Sequence, residues 1–285
     1  MLKKKATVNG NEIILEETEA SNSWPNTVKF YDKDNSAFEL KWEIKIGNCA
    51  WKEITTTKHQ VYITLDQPST PLRQETLFKV ACDKSSGASS EATTVSGIWS
   101  DFTDRKVINI EGEQLAYWEN DTARAATTDT LLMDANGQCG SWAEFLIDCF
   151  KVHKIDSDKY EIQSIYFPPY GKMLVKKWTF DAKGNAPDYL KPFTHLEKEV
   201  QDDSTGVPAQ GNDNPLSIFV NHYVVKYNKQ FYDPSYGGSL YNTEEEWEDA
   251  SLDGFEFLTK DINTNKDLTV RKKNTQKKEV IFYKL

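Results

Sequence analysis

The sequence predicts an α+β protein. A β-rich, sandwich-like region covers residues 1–70, and a larger region of helices and strands covers 71–285. Three observations predict this. The run Phe38-Glu39-Leu40-Lys41-Trp42-Glu43-Ile44-Lys45-Ile46 alternates apolar and charged residues, the pattern of a half-buried strand. The segment Asp66-Gln67-Pro68-Ser69-Thr70-Pro71 then interrupts the pattern with two closely spaced prolines. Beyond it, apolar residues take helical spacing after Cys139 and return to strand-like runs from Ile218.

The elements follow in order. Glu12–Leu15 and Val28–Tyr31 are short strand candidates, with Asn9-Gly10 as a hairpin turn signal, and His59–Leu65 is a further strand. Several short strands separated by turns suggest a small sandwich. Glu75–Cys82 reads as a helix. Ser85–Ser96 is rich in Ser, Thr, Ala and Gly and reads as a loop, whereas Ile98–Val107 has amphipathic helical spacing. A further helix is expected over Gln114–Ala126 and a strand over Tyr160–Phe167. Val200–Pro215 is a long polar loop. Its aspartates Asp202, Asp203 and Asp213 match no calcium-loop spacing, so no metal site is read there. Thr243 is placed to cap a short helix whose first turn is acidic, and Glu279–Leu285 is a β-type run.

Composition narrows the function. With 38% hydrophobic and 12% aromatic residues, the 285-residue chain can bury a sizeable core. A net charge of −10 argues against a nucleic-acid partner, which would require a basic face. No stretch approaches a membrane span. The basic start, MLKKKATVNG, lacks the apolar core of a signal peptide, and export stays open. The four cysteines, Cys49, Cys82, Cys139 and Cys149, show no CxxC pair, which disfavours zinc. They are too sparse for a disulfide scaffold, although one bridge is compatible with the sequence.

Within Asn136-Gly137-Gln138-Cys139-Gly140-Ser141-Trp142, turn residues lead into a helix. Ala143, Leu146 and Phe150 share the face of Cys139. Cys139 therefore sits in the first turn, where unpaired N–H groups and the positive end of the dipole stabilise a thiolate. A nucleophile wants this location, and a small buried cysteine that opens a helix fits it too. Cys149 has core neighbours and no such advantage.

A cysteine nucleophile needs a base, and the base needs an orienting group. Of the histidines, His59 is expected to start a strand, His153 to be a cation closing the cysteine helix, and His195 to lie in a charged stretch. His222 belongs to Ile218–Tyr227, followed by Asn228-Lys229 and Gln230–Pro234. If Asn228-Lys229 is a two-residue hairpin turn, Tyr227 opposes Gln230 and Val224 opposes Asp233. Asp233 then becomes the diagonal neighbour of His222 on one face. A carboxylate in that position fixes the imidazole tautomer, and a one-residue slip of register would remove it.

These residues together resemble the transglutaminase-like superfamily, whose core is shared with papain-like cysteine proteases, and in particular its microbial members. The resemblance rests on Gly137-Gln138-Cys139 opening a helix, His222 on a strand, and Tyr232-Asp233-Pro234 closing the next. It covers roughly residues 73–260. It implies a transglutaminase-like catalytic region over 71–285, with the cysteine helix packed on an antiparallel sheet, behind an accessory β-sandwich, and it implies Cys139 as nucleophile, His222 as general base and acid, and Asp233 as orienter. Oxyanion stabilisation is expected from the Cys139 backbone N–H, with Gln138 as an assisting group. Animal members use an upstream tryptophan; Trp99 and Trp118 are both upstream here. They also place a tryptophan directly after the cysteine, where this chain has Gly140-Ser141-Trp142, and the Cys-to-His separation is longer than in compact members.

The implied chemistry is acyl transfer at an amide of a peptide or protein through a thioester, with no cofactor. Water as acceptor gives a peptidase or amidase, the first expectation. An amine acceptor gives a cross-linking transglutaminase. A delivered effector toxin and a non-catalytic binding protein on a papain-like scaffold are the other readings. Oligomeric state is not readable from the sequence.

Overall fold

The computed structural model describes residues 3–8, 11–16, 27–32, 34–35, 37–46, 49–68, 74–118, 127–166, 171–175, 178–180, 196–199, 207–260, 263–275 and 277–285. They form a mixed α/β structure with five helices and several antiparallel sheets, consistent with α+β.

The chain opens with strands β1 (Lys3–Val8), β2 (Asn11–Glu16), β3 (Lys29–Tyr31), β4 (Phe38–Ile46), β5 (Lys52–His59) and β6 (Val61–Ile63). One sheet runs β1-β2-β4-β5 and β3 pairs with β6. β4 has the bounds that its alternation predicts. His59 ends β5 rather than starting a strand, and its Nε2 lies 2.7 Å from Thr57 Oγ1. The β1–β2 register sets Val8 opposite Asn11, while the predicted turn Asn9-Gly10 lies outside the described residues. Aromatic stacking joins β3 and β6 to the helical part. Phe30 stacks on Tyr62 at 5.0 Å, and Tyr62 packs on Phe78 of α1 (Glu75–Cys82).

The expected loop over Ser85–Ser96 holds for Ser85–Ser90, and its second half is instead the start of α2 (Glu91–Thr103). Ser90 and Thr93 form a reciprocal capping box, so the Ser/Thr content that suggested a loop is a helix-start signal. Nor is Gln114–Ala126 helical where it is described. Ala116–Tyr117 is strand β7, which pairs in parallel with β8 (Asn136–Gly137); residues 119–126 lie outside the described set. Between the two strands, α3 (Thr128–Asp134) starts on a second capping box, formed by Thr127 and Thr130. The cysteine helix, α4, spans Cys139–Val152.

Further on come β9 (Asp158–Ser164), β10 (Lys172–Leu174), β11 (Trp178–Phe180), β12 (Leu196–Glu199), β13 (Ile218–Phe219), β14 (Asn221–Tyr227) and β15 (Gln230–Tyr232). The chain closes with α5 (Glu244–Ser251), β16 (Gly254–Lys260), β17 (Asp267–Lys273) and β18 (Val280–Lys284). Thr243 caps α5 by accepting from the Glu246 N–H at 3.1 Å, as its position predicts. Two four-stranded sheets result, β15-β14-β9-β18 and β13-β10-β16-β17.

Helix α4 packs against β14 and β9 on one side and against α1 and α3 on others. Trp142, Phe145, Leu146, Cys149 and Phe150 are wholly buried there. Burying each such large side chain contributes about 1.5–3 kcal/mol, which holds the N-terminus of α4 rigidly over the sheet. Trp99 belongs to this core, edge-on to Tyr232 at 5.1 Å. Among the described residues, no helix is long and apolar enough to cross a membrane.

Candidate active site

Cys139 is the first residue of α4, with Gln138 at the N-cap. Its backbone N–H belongs to the first turn, whose N–H groups have no partner within the helix. The thiol is almost wholly buried, at 4% exposure, yet it lines a pocket of about 540 Å³. Gln138, Trp118, Gly140, Ile218, Phe219 and Tyr223 share that lining. Gly140 lies against the Tyr223 ring, where even a methyl group would sit 3.7 Å from it.

His222 lies on β14. The hairpin forms in the register that the sequence predicts, with Tyr227 opposite Gln230 and Val225 opposite Tyr232. Asn228 and Lys229 take φ of 44° and 68°, both left-handed, as a type I′ turn requires. Asparagine adopts that conformation readily; at Lys229 the register is kept despite a conformation glycine would take more easily. Asp233 follows β15, and its Oδ2 accepts from His222 Nε2 at 2.9 Å. Both side chains are almost wholly buried.

The charge balance at His222 follows from these contacts. Burial pushes its pKa down. The charge of Asp233, its hydrogen bond and the neighbouring Cys139 side chain outweigh burial and raise the pKa to about 10. His222 Nδ1, the nitrogen not used by Asp233, is buried and has no hydrogen-bond partner among the described residues. The structure therefore brings Cys139, His222 and Asp233 together, with the imidazole between thiol and carboxylate.

Two tryptophans complete the surroundings. Trp118 follows β7 in a left-handed conformation, φ 48°. Such a conformation costs of order 1–3 kcal/mol in a residue of this kind and persists only where its surroundings hold it. The Trp118 N–H donates to the Gly137 carbonyl at 3.0 Å, and Asn212 Nδ2 donates to the carbonyls of Tyr117 and Trp118 at 2.9 and 3.0 Å. Asn212 is brought there by Gly211, also left-handed, where a Cβ would lie 2.5 Å from the Leu115 carbonyl oxygen. The Trp118 indole N–H is buried and has no hydrogen-bond partner among the described residues, and Trp118 lines the pocket beside Cys139. On the far side of the imidazole, Trp247 of α5 donates from Nε1 to Asp233 Oδ2 at 3.1 Å.

Asn221 and Lys159 add polar groups to the pocket lining. Asn221 Nδ2 donates to Glu161 Oε1 at 2.7 Å, and Lys159 Nζ lies 3.3 Å from Glu144 Oε2 and over the Tyr223 ring.

The remaining cysteines, and His153, have other surroundings. Cys49 is exposed, while Cys82 and Cys149 are buried, and all four cysteines are free. Burial pushes the Cys82 thiol up to about 12 and that of Cys149 well above its ordinary value. His153 is not the expected cation. It is buried, its Nδ1 accepts from the Leu65 N–H at 3.1 Å, and its Nε2 donates to the Ala81 carbonyl at 3.0 Å. One nitrogen must be unprotonated for that pair of bonds, and burial holds the pKa below 6.5. His195, Asp202 and Asp203 lie outside the described residues. Among the described residues, no group of three or more His, Cys, Asp or Glu side chains is arranged to hold a metal ion.

Trp247 and Asn212 are absent from the sequence reading, and Trp118 is not separated there from Trp99. Thr243 signals the helix that carries Trp247, but nothing in the linear pattern connects its indole to Asp233. No protein-family model, curated protein or solved structure matches the chain.

Proposed function

We propose that the protein is a cysteine-dependent acyl-transfer enzyme of transglutaminase-like type, acting on amide bonds of peptides or proteins through a thioester, with water as the acceptor. In this reading the helix α4 and its sheet form the catalytic region, and residues 1–70 form a β-rich accessory region. The observation that carries it is His222, bonded through Nε2 to Asp233 and adjacent to Cys139 at a helix N-terminus.

His222 takes the thiol proton and Sγ forms a bond to the amide carbonyl carbon. Asp233 holds the imidazole orientation and favours its charged form. The developing oxyanion accepts hydrogen bonds from the Cys139 backbone N–H and from the Trp118 indole N–H, which has no other partner among the described residues. Gln138 lines the same pocket as an assisting group. The imidazolium gives its proton to the departing nitrogen, the C–N bond breaks, and the thioester remains. His222 then takes a proton from water as its oxygen attacks. The acid leaves and the proton returns to Sγ.

The test is to incubate the protein with a glutamine-containing peptide library, with and without a dansylated primary amine. Ammonia release or peptide cleavage without dansyl incorporation is expected, and Cys139→Ala should abolish it. Dansyl incorporation would instead identify an amine acceptor. Equal turnover by Cys139→Ala would overturn the reading.

A further inference from the structure

Trp247 touches two members of the cluster at once. Its Nε1–H donates to Asp233 Oδ2 at 3.1 Å, the same oxygen that accepts from His222 Nε2 at 2.9 Å. Its ring stacks on the His222 imidazole, with centroids 5.7 Å apart and planes 19° from parallel. The side chain is 1% exposed, and Phe282 packs edge-on to it at 5.6 Å. A carboxylate accepting from one donor can still rotate about its last side-chain bond. Two donors converging on a single oxygen remove that freedom. Asp233 Oδ1 receives only the long contact from the Tyr236 N–H, at 3.4 Å.

We infer that Trp247 is a positioning residue that acts through Asp233: its indole N–H fixes the carboxylate, and its face fixes the plane of the imidazole. This rests on the acyl-transfer reading for its consequence, since the group positioned is the base for Cys139. Helix α5 is thereby part of the site, although none of its residues lies in the wall beside Cys139. The buried Glu248, next along that helix, accepts from the N–H groups of Lys278 and Glu279 at 2.9 and 3.0 Å. That pair of bonds anchors α5 to the start of β18 and sets where the indole points.

A double-mutant cycle tests the inference. The alkylation rate of Cys139 by iodoacetamide is measured by peptide mass spectrometry in the wild type, Trp247→Phe, Asp233→Ala and the double variant. Trp247→Phe keeps an aromatic face and removes the donor. It should slow alkylation by about tenfold in the wild-type background, and by less than about twofold when Asp233 is already absent. An equal factor in both backgrounds would mean that Trp247 acts through packing, and no effect in the wild type would end the proposal outright. Continued protection of Cys82 and Cys149 from alkylation reports an intact fold. Should Trp247→Phe not fold, the Trp247 indole N–H proton resonance is followed in Asp233→Ala; an unmoved resonance overturns the proposal. If Cys139 of the wild type reacts no faster than the exposed Cys49, the acyl-transfer reading itself fails, an outcome distinct from loss of the coupling.

Discussion

Helix α4 has a cysteine at each end of its buried face and a buried histidine near each cysteine, and the two ends behave in opposite ways. At the N-terminus, Cys139 opens the helix beside His222, whose pKa is raised to about 10. Toward the C-terminus, Cys149 lies in the core and His153 caps the helix with its pKa lowered. Both histidines are 1% exposed, so burial does not distinguish them. Their partners do. His222 faces the Asp233 carboxylate, which outweighs the burial penalty, whereas His153 lies between a backbone N–H and a backbone carbonyl, an arrangement that only a neutral imidazole satisfies. The Asp233 carboxylate is thus what separates the charge balance of the two buried imidazoles.

The contrast can be broken most forcefully at the cysteines. Cys139→Ala should reduce turnover by at least about ten-thousandfold. Cys149→Ala should leave turnover unchanged and cost about 1 kcal/mol of stability through the cavity it opens, read by denaturant titration. Next in size, Asp233→Ala removes the carboxylate that outweighs burial at His222. Turnover should fall by about a thousandfold, and an NMR titration should find the imidazole pKa lowered from about 10. Trp118→Phe sharpens the chemistry at the N-terminal end. It should cost about a hundredfold in amide turnover by removing an oxyanion donor, and leave alkylation of Cys139 unaffected, because no oxyanion forms in that reaction. Smallest in rate terms, His153→Phe should leave turnover intact and lower stability by about 1–3 kcal/mol, because the Leu65 N–H and Ala81 carbonyl lose their partner.

The two histidines also predict opposite pH dependences of stability. His222 has a raised folded pKa, so its contribution is fully present below 6.5 and is lost as pH rises through about 10. His153 has a lowered folded pKa, so its contribution is present above 6.5 and is lost as pH falls through the lowered value. Denaturation of Asp233→Ala and His153→Phe across pH should remove the alkaline and the acidic component respectively.

What could be read in the sequence follows from what is local. The α4 face, the β4 alternation, the Thr243 cap and the hairpin register are set by spacings of a few residues. Those spacings place His222 and Asp233 on one face. Two local signals point the wrong way. Ser90 and Thr93 look like loop composition, although they cap a helix, and the Ala116–Tyr117 strand blends into a helical pattern because its partner, Asn136–Gly137, lies far along the chain. The indoles at Trp118 and Trp247 were not legible, because their roles depend on Asn212 and Asp233, contacts that no periodicity encodes. His153 looked cationic because the carbonyl and N–H that neutralise it come from α1 and from the segment after β6.

The central claim, that Cys139 is activated by His222 and Asp233, is tested most directly by alkylating the native protein with iodoacetamide across pH and quantifying all four cysteines by mass spectrometry. At neutral pH, Cys139 should outpace the exposed Cys49 by at least about tenfold while Cys82 and Cys149 stay unlabelled, and the advantage should shrink as alkaline pH ionises exposed thiols. A Cys139 that labels no faster than Cys49 at neutral pH would contradict the account.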